Sequence, residues 1–277
     1  MTAEERFGEV FLLPEDDFSV KKIFDCGQCF RWNAESERSY VGVAMGRAAR
    51  VREADGGVYI SGTLADFENV WRDYFDLSRS YEKMRESVCV DDYMRLCSSY
   101  GAGIRILRQD RWEALCSFII SQCNNIPRIK GIVERLCEAY GDEIDFEGRK
   151  YYSFPPPERI AVLNAGDLAF LRSGYRAPYI VGAAREIAEG RLDLEKVALL
   201  PYSESKKRLM QLNGVGEKVA NCVILFGLRT PSAFPIDTWI KKALRAHYPD
   251  GLDTSVFGEN AGLAQQYMFY YERENEA

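Results

Sequence analysis

Histidine is nearly absent from this sequence: among 277 residues there is only His247. Its place near a helix end, in "LRAHYPD", marks it as structural. No imidazole is then left for a His-dependent triad, and one histidine excludes a His-rich metal site. Long apolar runs are missing too. The longest lies near Cys222–Leu228, far short of the ~20 residues that a membrane-spanning helix needs, so no membrane partner is expected. The first ten residues, "MTAEERFGEV", have neither the apolar core of a secretory signal nor the arginines of a transit peptide. The expectation is a soluble intracellular protein. Repeats, low-complexity tracts and long linkers are also lacking.

Cysteine is not scarce: there are eight. Most stand among apolar neighbours, as in Leu115-Cys116-Ser117-Phe118, which fits free buried thiols in a reducing compartment. Cys26-Gly27-Gln28-Cys29 has the spacing of a redox motif, but the βαβ context is absent and strand-like "CFRW" follows. A zinc half-site would need a second cysteine pair that the sequence does not offer, so no metal is expected. The net charge is −6, which taken alone argues against nucleic acid. Its distribution points the other way. Between Tyr202 and Tyr248 there are eight Lys/Arg against three Asp/Glu, and between Gly101 and Arg135 six against three.

The first hundred residues read mostly as strands: "FSVKKIF", "CFRWNA", "SYVGVAM" and "VYISG" are short and rich in β-branched or aromatic residues. Asp55-Gly56-Gly57 signals a hairpin. "ADFENVWRDYF" spaces Phe67, Val70, Trp71 and Tyr74 as a helix does. From about Gly101 onward, "DRWEALCSFIISQC", "IPRIKGIVERLCEAYG", "RAPYIVGAAREIAEG" and "SESKKRLMQL" are helical. The fold class is α+β: an N-terminal antiparallel β-sheet domain with helices over 1–103, then an all-helical domain over 104–277.

Within "KKRLMQLNGVGEKVANCVILFGL" a helix, a Gly-Val-Gly turn and a second helix form a hairpin over about 205–228. Gly214 and Gly216 allow close backbone approach, and free N–H groups at a helix start suit a DNA phosphate, read without regard to sequence. Lys218 falls in the first turn of the second helix, where the dipole disfavours a cation. Asp237, in "FPIDTW", is a good N-cap. The helix from Lys218 to Leu228 is roughly 16 Å long, and the segment 229–236, kept extended by Pro231 and Pro235, spans up to about 26 Å. The chain can therefore return, so that Lys218 and Asp237 face each other at two neighbouring helix starts. A lysine deprotonated by that setting is a nucleophile, and a carboxylate beside it can move a proton or stabilise positive charge on a sugar.

The hairpin followed by a Pro-rich loop and Asp resembles the helix-hairpin-helix/GPD superfamily of DNA base-excision glycosylases. The landmarks "CGQCFRW", "SFIISQCNNIPRI", "SGYRAPYI", "GVGEKVANC", "FPIDTW" and "AGLAQQYMF", in that order from about Phe24 to Phe269, are similar to its 8-oxoguanine DNA glycosylase/AP lyase branch. The resemblance implies that Lys218 attacks the sugar C1′ of an extruded 8-oxoguanine nucleotide. It implies that Asp237 supports the lysine and the oxocarbenium-like transition state, and that β-elimination then cleaves the strand. It further implies that the Gly27 carbonyl accepts N7–H of the lesion, that Cys222 and Phe269 sandwich the base and that Gln265 reads its Watson–Crick edge. Tyr175 would wedge the duplex open. Arg128 and Arg176 would read the orphaned cytosine, and Asn124 and Asn125 would fill the vacated space.

Two positions depart from that pattern. Cys123 replaces the first asparagine of the gap-filling run, and Trp239 replaces a histidine after the aspartate, near a phosphate or pocket contact. No cysteine follows Cys222, so the four-cysteine iron–sulfur pattern of other branches is absent. The implied partner is double-stranded DNA with 8-oxoguanine opposite cytosine, bound by a monomer in the cytoplasm or nucleoid without a cofactor. The hairpin carbonyls could hold a monovalent cation. Two other functions fit parts of the sequence. A monofunctional alkylpurine glycosylase would leave Lys218 unexplained, and a non-catalytic helix-hairpin-helix DNA-binding module would leave Asp237, Gly27, Gln265 and Phe269 unexplained.

Overall fold

The computed structural model describes residues 2–14 and 16–275. Its main sheet has six antiparallel strands: β1 (Thr2–Arg6), β2 (Glu9–Leu13), β3 (Trp32–Ser36), β4 (Ser39–Ala44), β5 (Arg47–Ala54) and β6 (Gly57–Ser61), in the order β1-β2-β6-β5-β4-β3. Three of its hairpins share one turn device. Phe7-Gly8, Met45-Gly46 and Asp55-Gly56 all have positive φ at both residues, the mirror-image turn that matches strand twist. Glu147-Gly148 closes the outlying β7 (Glu143–Phe146) and β8 (Arg149–Tyr152) in the same way. Of these four, only Asp-Gly has a residue that announces such a turn.

The segment "FSVKKIF" is not a strand. Val20–Asp25 forms helix α1, capped by the Ser19 hydroxyl accepting from the Lys22 N–H, and it buries Val20, Ile23 and Phe24. Those three positions have helical spacing, which outweighs β-branching here. "CFRWNA" enters the sheet only at Trp32. Residues 64–74 are helical as expected, although the middle widens. There α2 (Leu64–Asp66) and α3 (Arg72–Tyr74) flank a π-turn over Phe67–Trp71. Together with α1 they cover the sheet, with Phe24 stacked on Trp32 at 4.3 Å and the Trp32 Nε1–H donating to the Tyr74 hydroxyl at 2.8 Å.

Helices α4 (Tyr81–Val88) and α5 (Asp92–Tyr100) precede the helical region in sequence but pack into its core. That core is built from α6 (Arg111–Ile120), α7 (Ile126–Tyr140), α8 (Pro157–Ala161), α9 (Ala177–Ala188), α10 (Leu194–Ala198), α11 (Tyr202–Leu209), α12 (Glu217–Cys222), α13 (Thr238–His247) and α14 (Ala261–Asn275). After Cys222 the chain widens into a second π-turn, Val223–Gly227, sealed by the Leu228 N–H donating to Val223 O at 2.8 Å. His247 stacks on Tyr93 with ring centres 3.8 Å apart, a packing role. Among the described residues no helix is long and apolar enough to cross a membrane.

Candidate active site and nucleic-acid face

The hairpin glycines have separate reasons to be glycine. Gly214 has φ +82, and a Cβ there would lie 2.3 Å from the Tyr179 ring, so both conformation and packing demand it. Gly216 caps α12 with extended backbone and no side-chain hydrogen bond, facing open space. Two residues on, Lys218 is half-buried. Its Nζ donates to the Ser121 hydroxyl at 3.2 Å and stands 5.4 Å from the centre of the Phe118 ring. Ser121 is the C-cap of α6. The lysine therefore starts at the positive end of one helix and places its amine at the negative end of another, a feature that the sequence did not reveal.

The loop that carries Asp237 is tied to the last helix. The Gly262 N–H donates to Pro231 O at 2.8 Å, pinning that loop to the start of α14. A Cβ on Gly262 would meet Pro231 O at 2.9 Å and Ala233 O at 3.0 Å, so only glycine admits this approach. The Asp237 carboxylate caps α13, accepting from the Ile240 N–H at 2.9 Å. Burial raises its pKa above the ordinary carboxylate value. The Ile240 N–H, the Lys218 charge and the Trp239 N–H oppose that rise. The lysine charge thus favours the ionised carboxylate against its burial. Cys222, buried one turn beyond Lys218, has its thiol pKa raised by burial, with Lys218 opposing and Asp237 adding to the shift. Half-buried Trp239 occupies the first turn of α13.

The loop before β3 meets α14. Gly27 has φ +75, and a Cβ there would lie 3.0 and 3.2 Å from two Phe269 ring carbons. Gln28, fully buried, locks that loop. Its Nε2 donates to Ile23 O at 2.9 Å and Arg105 O at 2.8 Å, its Oε1 accepts from the Leu107 N–H at 2.9 Å, and its backbone carbonyl accepts from Gln109 Nε2 at 2.6 Å. Gln265 is buried one turn before Phe269, its Oε1 accepting from Gln266 Nε2 at 2.9 Å. Gln28 and Ser121 were not singled out in the sequence, where their only signal was their place inside "CGQCFRW" and "SFIISQCNN".

A second cluster forms where the α6–α7 turn meets the start of α9. Asn124 Nδ2 donates to Ile120 O at 3.1 Å, and Asn125 Oδ1 accepts from the Arg128 N–H at 3.0 Å as the cap of α7. Arg128 is exposed and donates through Nη2 to Arg172 O at 3.1 Å. Tyr175 is exposed, with its hydroxyl 3.4 Å from Gln122 O. Arg176 is buried, with its guanidinium donating to Gln122 O, Cys123 O and Ser173 O. Cys123 is exposed and has φ +46, a left-handed conformation unusual for cysteine.

Comparison with known proteins shows the family. Residues 10–115 match the family model of the 8-oxoguanine DNA glycosylase N-terminal domain, and residues 116–254 match that of the HhH-GPD superfamily base excision DNA repair proteins. The chain belongs to the HhH-GPD superfamily. Among solved structures it is similar to MBOgg1, in complex with a low-affinity DNA ligand, at 41% identity and a TM-score of 0.94, covering 100% of this chain and 99% of that one. It is also similar to the Clostridium acetobutylicum 8-oxoguanine glycosylase/lyase, in complex with double-stranded DNA containing cytosine opposite 8-oxoG. There the identity is 37%, the TM-score 0.94, and coverage again 100% and 99%. A Bacillus subtilis DNA-3-methyladenine glycosylase is 35% identical over 60% of this chain and 55% of its own length. The chain spans about half the length of the first curated relatives it matches.

Proposed function

We propose that this protein is a base-excision repair enzyme, a bifunctional 8-oxoguanine DNA glycosylase/AP lyase. What supports the reading most is that Lys218, in the first turn of α12, and Asp237, the cap of α13, stand at two helix starts, with the lysine charge acting on the buried carboxylate. In this reading the sheet domain over 1–103 supplies Gly27 and the helical domain over 104–277 supplies the catalytic pair. The extruded base stacks between Cys222 and Phe269, and Gln265 reads its Watson–Crick edge. The Gly27 carbonyl accepts N7–H of the lesion, whereas normal guanine would present a lone pair to it. As the C1′–N9 bond breaks, its electron pair leaves with the base, and the Asp237 carboxylate opposes the positive charge that develops on the sugar. The deprotonated Lys218 amine bonds to C1′. Loss of its proton and opening of the ring give an imine. Removal of a C2′ proton then expels the 3′ phosphate and cleaves the strand.

The partner on this reading is duplex DNA with 8-oxoguanine opposite cytosine, bound by a monomer inside the cell. The N–H groups near Gly214 and Gly216 rest on a phosphate, and the hairpin carbonyls hold a monovalent cation. Trp239 lies near a phosphate or pocket contact beside Asp237. Tyr175 wedges the duplex, with Arg128 and Arg176 on the orphaned-base side and Asn124 and Asn125 in the gap.

The test is borohydride trapping on an 8-oxoguanine duplex. A covalent adduct is expected from the native protein and none from Lys218→Gln. Base release without any adduct would replace this reading by the monofunctional alkylpurine glycosylase that the B. subtilis relative suggests. Binding without release would leave a DNA-binding module.

A further inference from the structure

Arg273 occupies the last turn of α14, one turn beyond Phe269. Its guanidinium carbon stands 5.5 Å from the centre of the Phe269 ring. Nη1 would lie 3.8 Å from a Cβ on Gly27, within the same contact that places Gly27 against Phe269. The other side of the guanidinium is occupied, with Nε and Nη2 both donating to Glu274 Oε1, at 3.3 and 2.7 Å. That pair orients the group and turns Nη1 away. Nη1 is buried and makes no hydrogen bond. A buried charged donor without an acceptor is costly and uncommon in a native structure, and such an orphan beside a ligand site calls for a partner that arrives with the ligand.

The chemistry of the lesion supplies one. 8-Oxoguanine differs from guanine along a single edge, where N7 gains a hydrogen and C8 becomes a carbonyl. The two new groups are adjacent, one donor and one acceptor. On the proposed reading Gly27 offers a carbonyl for the donor, and Arg273 brings an N–H to the side of the same glycine. We infer that Arg273 is a specificity residue whose Nη1 donates to the C8 carbonyl oxygen of the extruded base, so that both new groups of the lesion are read together. With normal guanine, which carries C8–H there, Nη1 stays unpaired, and a site built around a hydrogen bond rejects the analogue that lacks it. The inference rests on the base pocket proposed above.

The experiment compares native protein with Arg273→Met, which keeps a long apolar stem, and Arg273→Lys, which keeps a donor. Each is assayed in single turnover on duplexes containing 8-oxoguanine, guanine with a C8 thiocarbonyl, or a preformed abasic site, and its melting temperature is taken. Arg273→Met is expected to lower 8-oxoguanine excision about 10- to 100-fold, as loss of a charged hydrogen bond does. Cleavage at the abasic site, where no base is present, should stay within about twofold, and Arg273→Lys should recover part of the loss. Sulfur, the weaker acceptor, should slow the native enzyme but cost the methionine variant little further. Equal loss of excision and abasic cleavage, unchanged excision, or a sulfur penalty of the same size in native and variant proteins would each overturn the assignment. If the native protein released no 8-oxoguanine at all, the proposed function itself would fall.

Discussion

The two polar clusters on the proposed DNA face spend their hydrogen bonds differently. Around the proposed catalytic pair, the base-pocket loop is held from behind and one buried donor is left over. Gln28 anchors the loop of Gly27 through four hydrogen bonds, and Arg273 keeps a free buried donor. On the side proposed to face the orphaned base, three polar residues of the same kind are used internally. Asn125 caps a helix, Asn124 ties back to α6, and Arg176 spends its guanidinium on three backbone carbonyls. A preorganised pocket gains its full interaction energy when the ligand enters, whereas a self-satisfied loop must break bonds first. Lesion recognition should therefore be sharp and opposite-base recognition blunt.

The largest effect that could break this contrast is at the reacting pair. Asp237→Asn should keep the α13 cap yet reduce single-turnover excision by about 100-fold or more, since the developing sugar charge loses its counter-charge. The carboxyl pKa is raised by burial. Native activity should therefore fall on acidification at a pH above the usual carboxylate range, and the asparagine variant should lack that acid limb. The sign for stability is opposite. A raised carboxyl pKa costs folding energy above that pKa and nothing below the unfolded value, so Asp237→Asn should melt higher at neutral pH. Next in size is Gly27→Ala. Its positive φ disfavours alanine, and the added methyl would sit 3.0 Å from Phe269. Excision of 8-oxoguanine should fall roughly 10-fold or more, while abasic-site cleavage is less affected. Unchanged discrimination between lesion and guanine would remove Gly27 from the reading.

On the blunt side, Arg176→Ala should loosen the Gln122–Cys123 turn. It should slow excision opposite all four bases to a similar extent, by about 3- to 10-fold. A loss confined to cytosine would mean that Arg176 leaves its carbonyls to read the base.

Sequence and structure agree where a local pattern has one physical meaning. Helical spacing located α6, α7, α9, α11 and α13. The pattern was legible for Val20, Ile23 and Phe24 as well, but β-branched and aromatic residues drew that segment toward a strand. What could not be read was settled by distant partners. Phe7-Gly8 and Met45-Gly46 adopt mirror-image turns because strand pairing requires them, not because Phe or Met favours positive φ. The Lys218 amine meets Ser121, almost a hundred positions earlier, and no local pattern encodes that contact. Nothing local marks Arg273, whose free nitrogen lies against Gly27 from the other end of the fold's sequence.

Cys123 offers the smallest and most pointed test of the comparison. Its φ of +46 strains a cysteine, whereas asparagine enters the left-handed region more readily. Cys123→Asn should therefore stabilise the protein slightly, by about 0.5 kcal/mol, visible as a small rise in melting temperature. It would also place an amide on an exposed turn where the Asn124 amide and the Asn125 Oδ1 already bond within the protein. That amide adds a donor and an acceptor beside the orphaned base on the proposed reading, so the preference for cytosine over adenine opposite the lesion should rise by a modest factor, roughly threefold. The readout is the ratio of single-turnover excision rates on the two duplexes. A rise in melting temperature with no change in that ratio would show that the turn governs only its own conformation. The bluntness would then lie with Arg176 and the asparagines rather than with the cysteine.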